Sequence, residues 1–417
     1  MSNLVGIAAK RVVTCDPRVA TADNPLGVVE DGAVLYDDHS ISWIGPKNQV
    51  GDKAELVDYG DRVVTPGLID AHTHAAWVGS RHLEYVTRMA DGDYRAIAAA
   101  GGGILSSARA VRQATEDQIA EELTARLRRM AEMGVTTVEV KSGYGLEPEG
   151  EMKQLRAISV ARADASLPSI AATYLALHAL PESARGSRDH YVLRAGTALV
   201  HEVAENRLAH FVDAYVDDNA FTADEARIVC DTARRRGLGV RLHVGQFADV
   251  GGVELAVDVG ARSVDHLEHV TPAGVAALAK AGIVATLLPV ASFTLRQEPP
   301  PVEALRKAGV TMAIASDANP GTAPTESLPL AMSLAVSTYG MTPAEAILGG
   351  TRAAAMSLGL ASSQGSRPRG SLAPGARPDI VVWDLPHEYA ILQPWGAPKT
   401  YLVLRNGRPI GGSSTRE

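Results

Sequence analysis

Two histidines one residue apart, His72 and His74, end the apolar run Pro66-Gly67-Leu68-Ile69-Asp70-Ala71. In a strand, residues i and i+2 leave the same face, so both imidazoles point one way. Two aligned neutral imidazoles are half of a zinc or iron site, and such an ion activates water at neutral pH. A bare His-x-His pair is weak evidence in a chain with 12 histidines. Its position strengthens it, because the apolar strand here gives way to the loop Trp77-Val78-Gly79-Ser80-Arg81. Other strand-like segments end in Lys141, His178, His243, His266 and Asp317. The set His72, His74, His243 and Asp317 supplies the N/O ligands of a hydrolytic metal centre with one position left for water. His266 follows Asp265 and reads as a proton-transfer or water-orienting group rather than a fifth ligand. His269 reads as an ordinary loop histidine, and Lys141 as the partner of Glu139 on the same strand face.

These residues need a scaffold that brings strand ends together. Eight strands centre on 68–72, 136–141, 172–178, 211–216, 240–243, 263–267, 284–288 and 311–316. Helical segments lie between them, among them 116–133, 222–236, 272–281 and 324–338, with Thr115 and Thr271 as N-caps. Eight alternating β/α units predict a (β/α)8 barrel, whose functional residues gather at the C-terminal ends of its strands. A doubly wound sheet would need a nucleotide-type Gly-rich loop after the first strand, and the sequence has none there.

Both ends of the chain read as β-rich. The runs 32–36 and 40–45 flank the turn residues Asp37-Asp38-His39, and the strands 378–384 and 401–405 come late, the latter running into the hairpin signal Asn406-Gly407. A Gly/Ser/Arg-rich linker, 362–370, leads into this tail. The expected organisation is therefore a barrel over 64–366 and one small β-sandwich domain built from 1–63 and 367–417.

Composition narrows the function classes. The chain has 417 residues, 46% of them hydrophobic and 21% charged, which is ordinary for a soluble globular protein. A net charge of −8 without a Lys/Arg cluster argues against nucleic acid. The two cysteines, Cys15 and Cys230, form no disulfide framework and no metal spacing. No apolar run has the length of a membrane span, and no signal peptide is read at Met1-Ser2-Asn3, so a cytoplasmic protein acting on a small molecule is expected.

Four further segments carry a resemblance: Gly79-Ser80-Arg81, Ala100-Gly101-Gly102-Gly103-Ile104, Lys141-Ser142-Gly143-Tyr144-Gly145 and Ser316-Asp317-Ala318-Asn319-Pro320-Gly321. With 66–74, they make the chain resemble the amidohydrolase superfamily and, within it, the imidazolonepropionases of histidine degradation. The resemblance implies one Zn2+ or Fe3+ ion per subunit on His72, His74, His243 and Asp317, and hydrolysis of 4-imidazolone-5-propanoate to N-formimidoyl-L-glutamate. It implies substrate contacts from Arg81, Tyr144, His178, Gln246 and Thr322, product contacts from Tyr144, Asn319 and Gly321, and a homodimer. The residues agree in type. Arg81 suits a propionate carboxylate, glycines on both sides free Tyr144 to present its ring, and the turn after Asp317 offers amides to an anionic end.

Two departures bear on the chemistry. Related deaminases carry a proton-shuttling Glu three residues after the histidine of strand 5, where this chain has Gln246; a carboxamide exchanges no proton at useful pH. Proton transfer is then expected on His266 and Asp317, with Gln246 left to hydrogen-bond at the reacting centre. Strand 4 ends in Asp217-Asp218-Asn219 without the lysine that binuclear relatives carbamylate, so one metal is expected. The alternatives are another mononuclear cyclic-amide hydrolase or aminoheterocycle deaminase, and a non-catalytic binding relative. The 101–103 glycines are a candidate closing loop.

Overall fold

The computed structural model describes residues 4–51, 54–90, 102–218, 220–362 and 366–415. The expectations that fall on residues 1–3, Gly101, Asn219 and the linker residues 363–365 lie outside the described residues.

The chain begins with five strands, β1 (Val5–Val13), β2 (Val28–Tyr36), β3 (Ile41–Pro46), β4 (Glu55–Asp58) and β5 (Val63–Pro66). Eight parallel strands follow: β6 (Leu68–Asp70), β7 (Val135–Lys141), β8 (Ser169–Leu177), β9 (Phe211–Val216), β10 (Gly239–Val244), β11 (Ser263–His266), β12 (Val284–Leu287) and β13 (Met312–Ile314). The tail adds β14 (Ile380–Trp383), β15 (Thr400–Arg405) and β16 (Arg408–Gly411).

Strands β6 to β13 pair in chain order, each with the next. The two ends of this sheet meet beyond the last ladders, at the mouth of the barrel. There Thr73 bridges Ala318, the Asp317 N–H donates to His72 O at 3.1 Å, and the His74 N–H donates to Ala318 O at 3.0 Å. The expected (β/α)8 barrel is thus the structure, and its seam runs through the predicted ligands. Strands β7 and β8 are buried along their whole length, as strands covered by helices on one side and barrel core on the other must be. The helix Glu116–Glu132 starts on a Thr115–Gln118 capping box, and Thr271 caps Pro272–Ala281; each such cap contributes about 1 kcal/mol. The last long helix begins at Leu328 on the Ser327 cap, four residues later than the sequence pattern predicts.

The terminal strands make one sheet in the order β16-β15-β14-β5-β1-β2-β3, with β4 also on β1, so both chain ends share a domain as expected. Ile7, Val12, Val34, Val64, Ile380 and Leu404 from five of its strands form one core. Asn406 and Gly407, at φ 52° and 76°, make the hairpin between β15 and β16. The sheet locks onto the barrel through Trp383. Its indole donates to Thr65 Oγ1 at 2.8 Å and fills the space where a side chain at Gly134 would stand, 2.6 Å away. Gly134, at φ 90°, turns the chain into β7 there, so glycine is required for space and conformation alike.

Candidate active site

Five side chains reach the barrel mouth from different strand ends and bury together: His72, His74, His243, His266 and Asp317, each no more than 4% exposed. His72 Nε2 and His74 Nε2 lie 3.4 and 3.5 Å from Asp317 Oδ1, and His243 Nε2 lies 3.3 Å from His74 Nε2. Ligands about 2.0–2.1 Å from a tetrahedral zinc ion stand about 3.3 Å apart, so the separations suit a shared metal. The chemistry of the nitrogens points the same way. His72 Nε2 is buried with no hydrogen-bond partner, and His243 Nε2 faces His74 Nε2 across a gap that suits a shared ion. Burial pushes His72 and His74 well below the ordinary histidine range and lowers His243, so all three offer lone pairs.

The opposite ring nitrogens of His72 and His243 are held by carboxylates that the sequence pattern does not name. His72 Nδ1 lies 2.7 Å from Asp265 Oδ2, and His243 Nδ1 lies 3.1 Å from Asp213 Oδ1. These bonds fix tautomer and ring orientation, as carboxylates behind metal-binding histidines do. Lys141, fully buried, pairs with Glu139 at 2.9 Å, as its place on the strand predicts, and also with Asp213 at 2.8 Å. Arg241 pairs with Asp265 at 3.2 Å. Although burial opposes charge on Asp213 and Asp265, His243 and Lys141 hold the first below the usual carboxylate range, and Arg241 and Lys141 the second.

His266 stands beside these ligands, its ring centroid 5.6 Å from that of His243. Burial opposes its charge, yet Glu268, whose Oε2 lies 3.6 Å from His266 Nδ1, raises its pKa. His266, Leu267 and Asp317 have φ of 84°, 74° and 54°, values that side-chain-bearing residues rarely adopt. Strain of this kind clusters at functional sites, where the surrounding structure holds the backbone in place. Burial also pushes the Asp317 carboxyl up to about 7. His269 is exposed, consistent with its reading as a loop residue.

Above this group lies a cavity of about 580 Å³, an ordinary size for a small-molecule site. Arg81, Tyr144, His178, Gln246, Asn319 and Thr322 all line it. Arg81 is buried, its Nε donating to Glu84 Oε2 at 2.8 Å. The loop 142–146 is clamped from the helix Pro148–Ala163: Glu151 accepts the Gly143 and Leu146 N–H groups at 2.9 and 2.6 Å, and Gln154 accepts those of Tyr144 and Gly145 at 3.1 Å. Tyr144 thereby packs against the stacked His178 and His74, with centroids 5.3 and 5.9 Å away. His178 Nδ1 lies 2.8 Å from Gly143 O, so its proton sits there, and burial drives the pKa down to about 3. Tyr215 donates to Gln246 Oε1 at 2.7 Å, which turns the Gln246 NH2 away from the tyrosine.

One expectation needs correction. The amides after Asp317 are not free for an anion: Asn319 Oδ1 accepts the Gly321 N–H at 2.8 Å and the Thr322 N–H at 2.7 Å, closing an Asx-type turn. Gly321 itself acts through Arg81, because a Cβ there would stand 2.2 Å from Arg81 Nη1. Sequence reasoning also missed Tyr215 and Phe247 in the cavity wall. Both lie at or just past barrel strand ends, where the alternation of the strands was the available signal.

Residues 63–411 match the model of the amidohydrolase family. The imidazolonepropionase of Paracoccus denitrificans is 42% identical over 87% of this chain and 90% of its own length. That of Mesorhizobium japonicum is 43% identical over 86% of this chain and 88% of its own. The chain belongs to the amidohydrolases, among the imidazolonepropionases. Solved structures agree on the fold of this amidohydrolase. A zinc-bound adenosine deaminase from Xanthomonas campestris superposes with a TM-score of 0.72 at 18% identity, over 98% of this chain and 93% of that one. The zinc complex of atrazine chlorohydrolase TrzN from Arthrobacter aurescens gives 0.69 at 15%, over 98% and 95%. Among the described residues, no helix is long and apolar enough to cross a membrane.

Proposed function

We propose that this site opens the ring of 4-imidazolone-5-propanoate by adding water across a ring C–N bond, giving N-formimidoyl-L-glutamate in histidine degradation. The observation that carries the reading is the convergence of His72, His74, His243 and Asp317 beneath a cavity that also holds Arg81, in a chain 42% identical to a relative named for this activity. Those four residues would hold one Zn2+ or Fe3+ ion. When bound, the ion supplies Lewis acidity, lowering the pKa of water toward about 7 and polarising the ring carbonyl.

The remaining roles belong to side chains. Arg81 pairs with the propionate carboxylate and sets the ring against Tyr144, with His178 Nε2 and the Gln246 NH2 as acceptor and donor at the ring edge. Asn319 and Thr322 close the wall beside Asp317. Asp317 accepts the proton of the attacking water. His266, which Glu268 favours in its charged form, faces the developing oxyanion; a well-placed donor there lowers the barrier by about 3 kcal/mol. The proton then passes to the departing ring nitrogen, the C–N bond breaks and the ring opens. Gln246 cannot shuttle a proton, which sets the site apart from a deaminase.

The test generates the unstable substrate in situ from urocanate and urocanase. The expected result is loss of imidazolone absorbance with matching formation of N-formimidoyl-L-glutamate. Fully metallated protein that leaves the imidazolone untouched refutes the reading.

A further inference from the structure

One buried ammonium stands behind His72, His243 and the backbone that links His72 to His74. Lys141 is fully enclosed at the end of β7, and its Nζ lies 2.9 Å from Glu139 Oε1, 2.8 Å from Asp213 Oδ2 and 3.9 Å from Asp265 Oδ2. Each carboxylate spends its other contacts on a different part of the ligand set. Glu139 Oε2 accepts the N–H of Thr73, the residue between His72 and His74, at 3.1 Å, while the Thr73 hydroxyl donates to Glu139 O at 2.6 Å. Asp213 Oδ1 accepts both the backbone N–H of His243, at 3.2 Å, and its ring Nδ1, at 3.1 Å. Asp265 Oδ2 takes His72 Nδ1 at 2.7 Å.

Three buried carboxylates without a shared cation would repel one another and move apart. A displaced Asp213 or Asp265 no longer fixes the ring orientation of His243 or His72. Arg241 offsets part of this charge, but it contacts Asp265 alone of the three. From this we infer that Lys141 is a positioning residue that sets the metal affinity of the site. It does so by holding, as their shared counter-ion, the three carboxylates that orient His72, Thr73 and His243. The inference rests on the reading of His72, His74, His243 and Asp317 as the metal ligands.

The test compares Lys141→Met, which keeps the length of the side chain, with the charge-balanced pair Lys141→Met and Glu139→Gln. Removing both partners of a buried ion pair is far less disruptive than removing one. The full-length proteins are stripped with chelator and titrated with Zn2+ against a chromophoric competitor, and thermal unfolding of the metal-free forms is recorded alongside. The expected result is a zinc dissociation constant about 10–100-fold weaker in the double variant, in line with losses of groups behind metal ligands, with turnover recovered at saturating Zn2+. A folded double variant that binds Zn2+ as tightly as the parent overturns the inference. So does a double variant that fails to fold even with Zn2+ present, since Lys141 is then a folding residue. If the parent protein itself binds no Zn2+, the reading of the four ligands fails first, and the inference falls with it.

Discussion

Gly321→Ala separates binding of the anionic end from everything else in the site. A Cβ at this position would stand 2.2 Å from Arg81 Nη1, 2.6 Å from Cζ and 2.9 Å from Nη2. Ordinary contact begins at 3.4 Å, so the guanidinium must retreat by 3.4 − 2.2, about 1.2 Å. Gly321 lies outside the left-handed region, so alanine adds no backbone strain, and the clash falls on the far end of a flexible side chain. Stability should therefore change little. A retreat of this size breaks a bidentate pair with a carboxylate, worth about 1.5–3 kcal/mol for charge-assisted bonds, or roughly 10–150-fold in kcat/KM. Because Arg81 grips the substrate equally before and during reaction, the loss should fall on KM with kcat nearly unchanged. Steady-state kinetics with imidazolone generated in situ, beside a melting curve and a zinc assay, reads all three quantities. A KM within twofold of the parent, or a kcat that falls while KM stays put, refutes the placement of Arg81 on the carboxylate.

Other consequences are separately measurable. His266→Ala should lower kcat by about 10²–10³-fold while zinc content stays near one per chain; loss of the metal would instead make His266 a ligand. His178 is held near a pKa of about 3, against an ordinary value of about 6.5. Between those values the unfolded chain binds the extra proton, so this contribution to stability is present above pH 6.5 and is lost as pH falls below it. At about 1.36 kcal/mol per pH unit, the stability difference between the metal-free parent and His178→Asn should shift by about 2 kcal/mol between pH 7 and pH 5; urea titrations showing no shift contradict the neutral, buried imidazole.

The parts of this molecule governed by local periodicity were legible in its sequence. His72 and His74 are two residues apart on a strand end, and the eight barrel strands are apolar runs whose centres need no tertiary information. The Asn406-Gly407 turn and the Thr115 and Thr271 caps are likewise local chemistry. What stayed hidden depends on distance along the chain. Lys141 and Glu139 share a strand face and could be paired on paper, whereas Asp213 joins them from 72 residues away and Asp265 reaches His72 across 193. The left-handed backbone at His266, Leu267 and Asp317 has no local signature, because none of the three is glycine. The turn after Asp317 was legible as a turn, but not that Asn319 Oδ1 consumes its amides. Gly321 carries a packing role that only its approach to Arg81 reveals.

The most direct test of the account is a metal titration of turnover. Chelator-stripped protein is reloaded stepwise with Zn2+ or iron, and ring opening of the imidazolone is measured at each occupancy. The account predicts no turnover in the stripped protein and a linear rise that ends at one ion per chain. Turnover that persists without metal, or that needs two ions per chain, contradicts a single centre on His72, His74, His243 and Asp317.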